Sequence, residues 1–218
     1  MSHFSTIVFH ARGQDINDLL APYDENLEVA PYVDTSLKNY LEKRKDKVKR
    51  FGIIEVTERY KRHYAHFDKD GNGLTTYNPN SRYDYYDVTG GSWKLHTRSG
   101  EYVSECKVSD LDWSEDSKRK EHAKRFWEVY VDGEELNANE DPDDFVSYFK
   151  PEYFRNMFQT KERYMSYDSI PQVYAAVLPD GRWFEDKTDS ADWILNYKKD
   201  FLDKLPGDTI ATLLDCHI

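Results

Sequence analysis

The segment 77–93 holds the densest set of side chains that can recognise a ligand, with the sequence YNPNSRYDYYDVTGGSW. Its aromatic rings offer faces for stacking, its Asn and Asp side chains offer directional hydrogen bonds, and its paired glycines let a backbone approach a ligand closely. This composition is typical of a pocket for a planar, polar molecule such as a nucleotide. A simpler interpretation packs the tyrosines into the core and places the glycines in a bulge. The ligand-binding residues predicted from this segment are Asn78, Asn80, Asp84, Tyr86, Gly90, Gly91 and Trp93.

Two acidic residues, Asp110 and Asp112, stand two positions apart just before Trp113. In an extended segment both side chains point to the same side, where they can bind a metal ion or sugar hydroxyls. The alternative is an acidic cap in front of the helix that follows. We add both residues to the predicted ligand-binding set.

An imidazole and a thiol are adjacent at His217 and Cys216. Because neighbouring residues on a strand face opposite sides of a sheet, this pair cannot act as nucleophile and base toward each other. A nucleophile–base pair with Cys216 would need a second histidine from elsewhere in the chain, such as His10, His63, His66 or His96. His217 completes the predicted ligand-binding set.

Residues 68–73 (DKDGNG) match the first six positions of a calcium-binding loop. The match then fails, because Thr75 replaces the usual apolar residue and Pro79 replaces the bidentate Glu that ends such a loop. We therefore predict a tight surface turn and no calcium site. We also predict no other metal site and no cofactor. The motifs GxSxG, HExxH, the P-loop and the dinucleotide fingerprint do not occur, and the sequence leaves open whether the protein is an enzyme.

Strands and helices must position these residues, and an apolar run near each end of the chain predicts two of the strands. Residues 4–9 (FSTIVF) and 209–214 (TIATLL) predict two buried strands that are neighbours in one sheet. Residues 173–178 and 182–185 flank a Pro-Asp-Gly turn, which predicts a β-hairpin. Apolar residues at helical spacing predict helices over about 34–50, 114–130, 145–167 and 190–205. The predicted fold class is α+β, with a mixed or antiparallel sheet whose terminal strands lie in the core and whose one side is covered by helices.

The chain has 218 residues, a formal net charge of −11 and two cysteines without the spacing of a disulfide framework or a zinc site. We predict a single domain, 1–218, with an acidic loop near 132–144 as its best internal boundary. Neither a signal peptide nor a membrane span is expected, so we expect a cytoplasmic protein that does not bind membranes. The negative charge disfavours direct nucleic-acid binding, and the basic run 43–50 is favoured as a solvated helix face over a phosphate-binding stripe.

The chain resembles a family of uncharacterised bacteriophage proteins of about this length. The matching blocks are 1–4, 20–26, 78–80, Asp84, Tyr86, Gly90, Gly91, Trp93, 110–113, 174–184, Leu205, Pro206, Asp208, Thr209 and 215–218. These blocks reach both ends of the chain, although long stretches between them do not align. The family often has Arg where this chain has Ser92, so any anion contact by that Arg is in doubt here. The resemblance implies a phage-encoded protein in the host cytoplasm, it favours 77–93 as a site, and it implies no particular activity.

Three functional hypotheses follow, and the sequence does not decide between them. The leading one is a phage accessory protein that binds a small nucleotide-like ligand, such as a host defence signal, in order to counter that defence. The second is an enzyme acting on a nucleotide or a modified base, with Asp84, Asp110, Asp112 and His217 as acid–base or metal groups. The third is an inhibitor whose acidic surface blocks a basic or nucleic-acid-binding host protein. The partner is thus a small molecule or a host protein, and the oligomeric state is open.

Overall fold

The structure, a computed structural model, describes residues 3–88, 93–187 and 190–218. Its strands are β1 (His3–His10), β2 (Tyr32–Val33), β3 (His66–Phe67), β4 (Gly73–Thr75), β5 (Tyr85–Asp87), β6 (Leu95–His96), β7 (Tyr102–Val103), β8 (Glu105–Lys107), β9 (Ala175–Val177), β10 (Trp183–Glu185) and β11 (Ile210–His217). Its α-helices are α1 (Ile16–Leu20), α2 (Leu37–Lys43), α3 (Lys45–Phe51), α4 (Ile53–Lys61), α5 (Ser117–Phe126), α6 (Pro151–Phe158), α7 (Lys161–Ser169) and α8 (Ala191–Asp200). A π-helical turn at Trp127–Val131 extends α5, and short 3-10 turns cover Ala21–Tyr23, Val108–Asp110, Pro142–Phe145 and Leu202–Lys204.

Contacts divide the chain into two compact units. Unit 1 consists of Met1–Leu20 together with Tyr85–Ile218, and unit 2 consists of Ala21–Asp84. The acidic loop near 132–144 lies within unit 1, where the Arg125 guanidinium binds the Glu140 carboxylate at 2.7 Å. Compact units occur inside single domains as well as between domains, so the single domain stays a prediction.

The two longest strands, β1 and β11, form the centre of the main sheet in unit 1. They pair antiparallel over eight positions, from His3 opposite His217 to His10 opposite Ile210. The strand order is β10–β9–β1–β11–β5, with β8 pairing along the other part of β11. Since β9 runs parallel to β1 and the other pairs are antiparallel, the sheet is mixed. The prediction that the terminal apolar runs are neighbouring core strands is confirmed, and so is the α+β class.

Both faces of the central strands are buried. On one face Ile7 and Leu213 belong to a core cluster that also contains Tyr197 of α8. On the other face Val8 and Leu214 are fully buried as well. A strand buried on both faces lacks polar alternation, which explains why the sequence shows continuous apolar runs here. The sequence analysis expects helices on one side of the sheet, and the structure adds that the side chains on both faces of these two strands are buried.

Two of the expected helices are each split into shorter ones. The sequence predicts one helix over 145–167. In the structure, α6 ends just before Gln159, whose backbone has a positive φ of 67°. The Thr160 hydroxyl then accepts a hydrogen bond from the Arg163 amide and starts α7. In unit 2, Ser36 caps α2 as expected, but Arg44 leaves helical geometry and separates α2 from α3. In both places the apolar spacing continues across the break, so the sequence pattern does not reveal it.

Unit 2 has its own small sheet and apolar cluster. The strands follow the order β2–β4–β3, and Tyr40, Val56 and Tyr60 form the buried centre beside them. The Tyr60 hydroxyl donates to the Thr35 carbonyl and accepts from the Gly73 amide.

Among the residues that the structure describes in both units, no helix is long and apolar enough to cross a membrane.

We expect Leu214→Ala to lower the free energy of unfolding by about 2–5 kcal/mol, because it leaves a cavity at a fully buried position of the central strand. The matched control is Leu136→Ala, which removes the same atoms from a side chain that is 38% exposed. Chemical denaturation of both variants measures the difference. Equal losses would contradict the central place given to β11.

Candidate functional site

A cleft of about 1070 Å³ lies in unit 1 beside the first residues of β1. We call it the aromatic cleft, because seven of its lining residues are Phe, Tyr or Trp. These are Phe4, Trp93, Phe149, Tyr153, Tyr167, Tyr174 and Trp193. Its volume is close to the upper end of the range of small-molecule sites, and its lining combines apolar rings with a few polar groups as such sites do.

Several of these rings are exposed although they are large and apolar. Phe149 is 48% exposed and stacks on Tyr153, with ring centroids 4.3 Å apart. Tyr174, 43% exposed, packs edge to face against Phe4 at 5.1 Å. Single exposed apolar residues are common on protein surfaces, whereas a contiguous group of them around a concavity marks a binding surface. The stacked Phe149–Tyr153 pair presents a flat face on which a planar ligand can stack.

The polar groups of the aromatic cleft include one guanidinium, two carboxylates and three amides. The Arg163 guanidinium binds the Asp192 carboxylate at 2.5 Å, so its charge is largely offset within the protein. Asp186 adds a second acid to the lining. The side-chain amides belong to Asn156, Gln159 and Gln172. The cleft therefore offers neutral donors and acceptors more than positive charge.

The Tyr167 hydroxyl is a further donor at the cleft. Burial raises its pKa above the ordinary value of 10.0, and the nearby Tyr153 and Asp186 raise it further. Tyr167 therefore stays protonated through the neutral pH range. A phenol that cannot ionise there donates a hydrogen bond to a ligand without adding charge.

Next to the cleft, a cluster of two imidazoles and one carboxylate forms where β1 begins and β11 ends. It consists of His3, Asp215 and His217, and we call it the His–Asp–His cluster. His3 Nδ1 lies 3.2 Å from Asp215 Oδ1, and His217 Nε2 lies 3.7 Å from Asp215 Oδ2. His3 also lines the aromatic cleft, so the two features share a residue.

The predicted residues in unit 2 serve mainly the loop that contains them. Asn78 is 1% exposed, and its side-chain nitrogen donates to the carbonyls of Pro22 and Asp24 at 2.8 and 2.9 Å. Its side-chain oxygen accepts from the backbone amide of Asn80, whose own side chain is exposed. The exposed Asp84 carboxylate accepts from the Asn26 side chain at 2.9 Å. Both donor hydrogens of the Asn78 side-chain amide, and one acceptor position of its oxygen, are thus used within the protein.

The predicted residues in unit 1 lie in several places. Trp93 lines the aromatic cleft and packs against the core cluster. Tyr86 lies opposite Cys216 in the β5–β11 pairing, and its hydroxyl donates to Asn17 at 2.5 Å. His217 therefore faces the other side of the sheet from Tyr86 and belongs to the His–Asp–His cluster. Gly90 and Gly91 lie outside the described residues.

The two acids predicted as a pair do not share one site. The exposed Asp110 lines a separate cavity of about 500 Å³ and accepts a hydrogen bond from the Ser109 hydroxyl. Asp112 lies 3.5 Å from His96 Nδ1. Hydrogen bonds from the Ser114 side chain and backbone hold the pKa of the Asp112 carboxyl below its ordinary value. Asp112 is thus an ionised acid in a turn that precedes α5.

No protein-family profile matches the chain, and no curated protein or solved structure shows significant similarity to it. The site is therefore argued from its own geometry.

The sequence analysis missed most of the aromatic cleft and also missed His3. The cleft rings are spread over α6, α7, the start of α8 and the β9 hairpin, and each one alone has the composition of core packing. For His3 a signal did exist. Antiparallel pairing of the runs 4–9 and 209–214 brings His3 close to residues 215–217, although the runs alone do not fix the register that sets it opposite His217.

We expect Asn78→Ala to lower the free energy of unfolding by about 1–3 kcal/mol, because it removes a buried amide that donates to two backbone carbonyls. Asn80→Ala is the matched control and should change stability by less than about 0.5 kcal/mol, since that side chain is exposed. Thermal and chemical denaturation check both values. If the two variants are equally stable, Asn78 is not the structural residue described above.

The loop 68–73 should not bind calcium. The Asp68 carboxylate already accepts hydrogen bonds from the backbone amides of Asp70 and Asn72 and from the Asn72 side chain. These bonds keep the pKa of Asp68 below its ordinary value and fix the turn between β3 and β4 without an ion. Isothermal titration of metal-free protein with Ca²⁺ checks this. Binding tighter than about 10⁻⁵ M would contradict it.

Proposed function

We propose that the protein binds a small, planar, nucleotide-like molecule in the aromatic cleft of unit 1. The observation that carries the proposal is the set of partly exposed aromatic rings, above all the stacked pair Phe149 and Tyr153, around one concavity. A nucleobase has a π-face that stacks on such rings. The side-chain amides of Asn156 and Gln159 supply both donors and acceptors of the kind that pair with base edges. Gln172 adds an acceptor, since its side-chain nitrogen donates to the carbonyls of Tyr167 and Ile170.

The charges around the cleft favour ligands that carry little negative charge. Arg163 is paired with Asp192, Asp186 adds another acid, and the whole chain has a net charge of −11. A triphosphate would meet repulsion here, because recognition of several phosphates needs several unpaired basic groups. We therefore infer that nucleosides and nucleoside monophosphates bind more tightly than triphosphates.

The biological role we propose is capture. A protein that sequesters a nucleotide-like host signal needs a cleft that encloses the ligand, and it needs no reactive group. The resemblance to bacteriophage proteins supports a role in the host cytoplasm, where such capture would counter a defence signal. This role rests on the proposed ligand class, and it fails if no such ligand binds.

The test is a titration of the purified protein with nucleosides, their 5′-monophosphates and their triphosphates, using calorimetry and the shift in melting temperature. We expect binding of at least one nucleoside or monophosphate, weaker binding of its triphosphate and recovery of the ligand intact. Phe149→Ala should weaken binding by about 1–3 kcal/mol, which is the contribution of one base–aromatic stack.

The matched control for this variant is Tyr148→Ala. Tyr148 precedes Phe149 and is 98% exposed, but it does not line the cleft. It should leave the affinity unchanged. The proposal is wrong if no member of the panel binds, or if both variants weaken binding equally. Conversion of the ligand to a product would favour the enzyme hypothesis instead.

A further inference from the structure

We propose that His3, Asp215 and His217 form a binding site for one divalent first-row transition-metal ion. The three side chains project from neighbouring strands on the same face of the sheet, because His3 is paired with His217, and Asp215 lies two residues before His217. One ligand atom of each lies within 4.8 Å of the other two. The proposal concerns this cluster alone and does not depend on the nucleotide-like ligand.

The distances fit a shared ion. Asp215 Oδ2 lies 3.4 Å from His3 Nδ1 and 3.7 Å from His217 Nε2. Two donors that bind one zinc ion tetrahedrally at 2.0–2.2 Å are separated by about 3.3–3.6 Å. These two separations are close to that range, and the two imidazole donors lie within 4.8 Å of each other, so a shift of the half-exposed His3 ring can bring all three donors to a common centre.

The burial of His217 and the open Nε2 of its ring also point to a ligand. The His217 side chain is 8% exposed, and its Nε2 lies 3.7 Å from the nearest Asp215 oxygen, which is longer than a hydrogen bond. An ion shared with Asp215 would bind this nitrogen, and a metal ion is a partner that an imidazole nitrogen accepts readily. Within the described part of the chain, Nδ1 is buried without a hydrogen-bond partner, but it lies across the ring from Nε2 and would not bind the same ion.

Asp215 and its surroundings favour a cation. Its side chain is 11% exposed, and in the described residues no Lys or Arg pairs with it. The register places Asp87 of β5 directly opposite Asp215, so a second acidic residue lies on the neighbouring strand.

The rings around His217 hold it in one orientation. His3 packs edge to face on one side, and Tyr85 stacks on the other at 3.9 Å with an interplanar angle of 16°. A ligand that is fixed before the ion arrives loses little conformational entropy on binding. The strand pairing and the stacking together preorganise the cluster in the way that functional metal sites require.

The donor set selects the class of metal. Two imidazoles and one carboxylate suit zinc, iron and their neighbours, whereas magnesium and calcium prefer sites made of oxygen atoms. Three protein ligands also leave at least one coordination position open, as in catalytic rather than structural zinc sites. Because His3 lines the aromatic cleft, an ion bound here would stand at the border of that cleft.

The experiment uses untagged, chelator-treated protein and titrates it with Zn²⁺, Co²⁺, Mg²⁺ and Ca²⁺. We expect one Zn²⁺ per chain by calorimetry and by metal analysis after gel filtration, and visible Co²⁺ absorption bands that Zn²⁺ displaces. Mg²⁺ and Ca²⁺ at the same concentrations should not bind to this cluster. His3→Ala should lower the Zn²⁺ affinity at least 10- to 100-fold. Substitution of residues that merely hydrogen-bond to metal ligands already causes losses of this size.

His3→Ala is the most informative variant because the His3 side chain is half exposed and its loss should leave the fold intact. The matched control is His96→Ala, which removes a histidine that lies 3.5 Å from Asp112 but has no second imidazole in its own cluster. It should bind Zn²⁺ like the wild type. Phe149→Ala should also keep Zn²⁺ binding, which separates this site from the proposed nucleotide-like ligand.

Three results would overturn the proposal. The first is the absence of stoichiometric Zn²⁺ or Co²⁺ binding by the folded wild-type protein. The second is a folded His3→Ala variant with wild-type affinity. The third is an equal loss of affinity in His3→Ala and His96→Ala. In each case the His3–Asp215 contact is a hydrogen-bonded pair and nothing more.

Discussion

The antiparallel pairing of β1 with β11 over eight residues is the interaction on which the rest of unit 1 depends. Three further strands pair directly with these two, β9 with β1 and both β5 and β8 with β11, and β10 joins the sheet through β9. Side chains on one face of this pair, such as Ile7 and Leu213, form the surface on which α8 packs through Tyr197. Since successive strand residues alternate between faces, a slip of one position would move all of them to the wrong side.

The same register also brings polar side chains together at one end of the sheet. Along one face, the apolar pair Ile7–Leu213 gives way to Ser5–Asp215 and then to His3–His217. The core therefore ends in a polar cluster at the place where the aromatic cleft begins. If these positions served packing alone, apolar residues would be expected there, because burying a carboxylate or an imidazole costs free energy unless it is paired. Polar side chains at the end of an otherwise apolar face are a reason to look for function there.

The sequence predicted the parts of the fold that local chemistry determines. The runs 4–9 and 209–214 are apolar and β-branched, and the Pro-Asp-Gly turn defines the β9–β10 hairpin, so these elements could be located. The break at Gln159 could not, because a positive φ in a non-glycine residue leaves no mark on composition. The candidate site was harder still. Segment 77–93 is continuous in sequence, but its residues are divided between the two compact units after Asp84.

The sequence separation of the central pair has a consequence for biosynthesis. His3 and Asp215 are 212 positions apart, and the other neighbour of β1, which is β9, also follows only late in the chain. At about 5–20 residues per second, the ribosome needs about 10–40 s to make β11 after β1. Until β9 is made, the apolar strand β1 has no partner for either edge, and unpaired apolar strands are prone to aggregate. Transient contacts that cover β1 before β9 and β11 are made would therefore favour correct folding of the nascent chain.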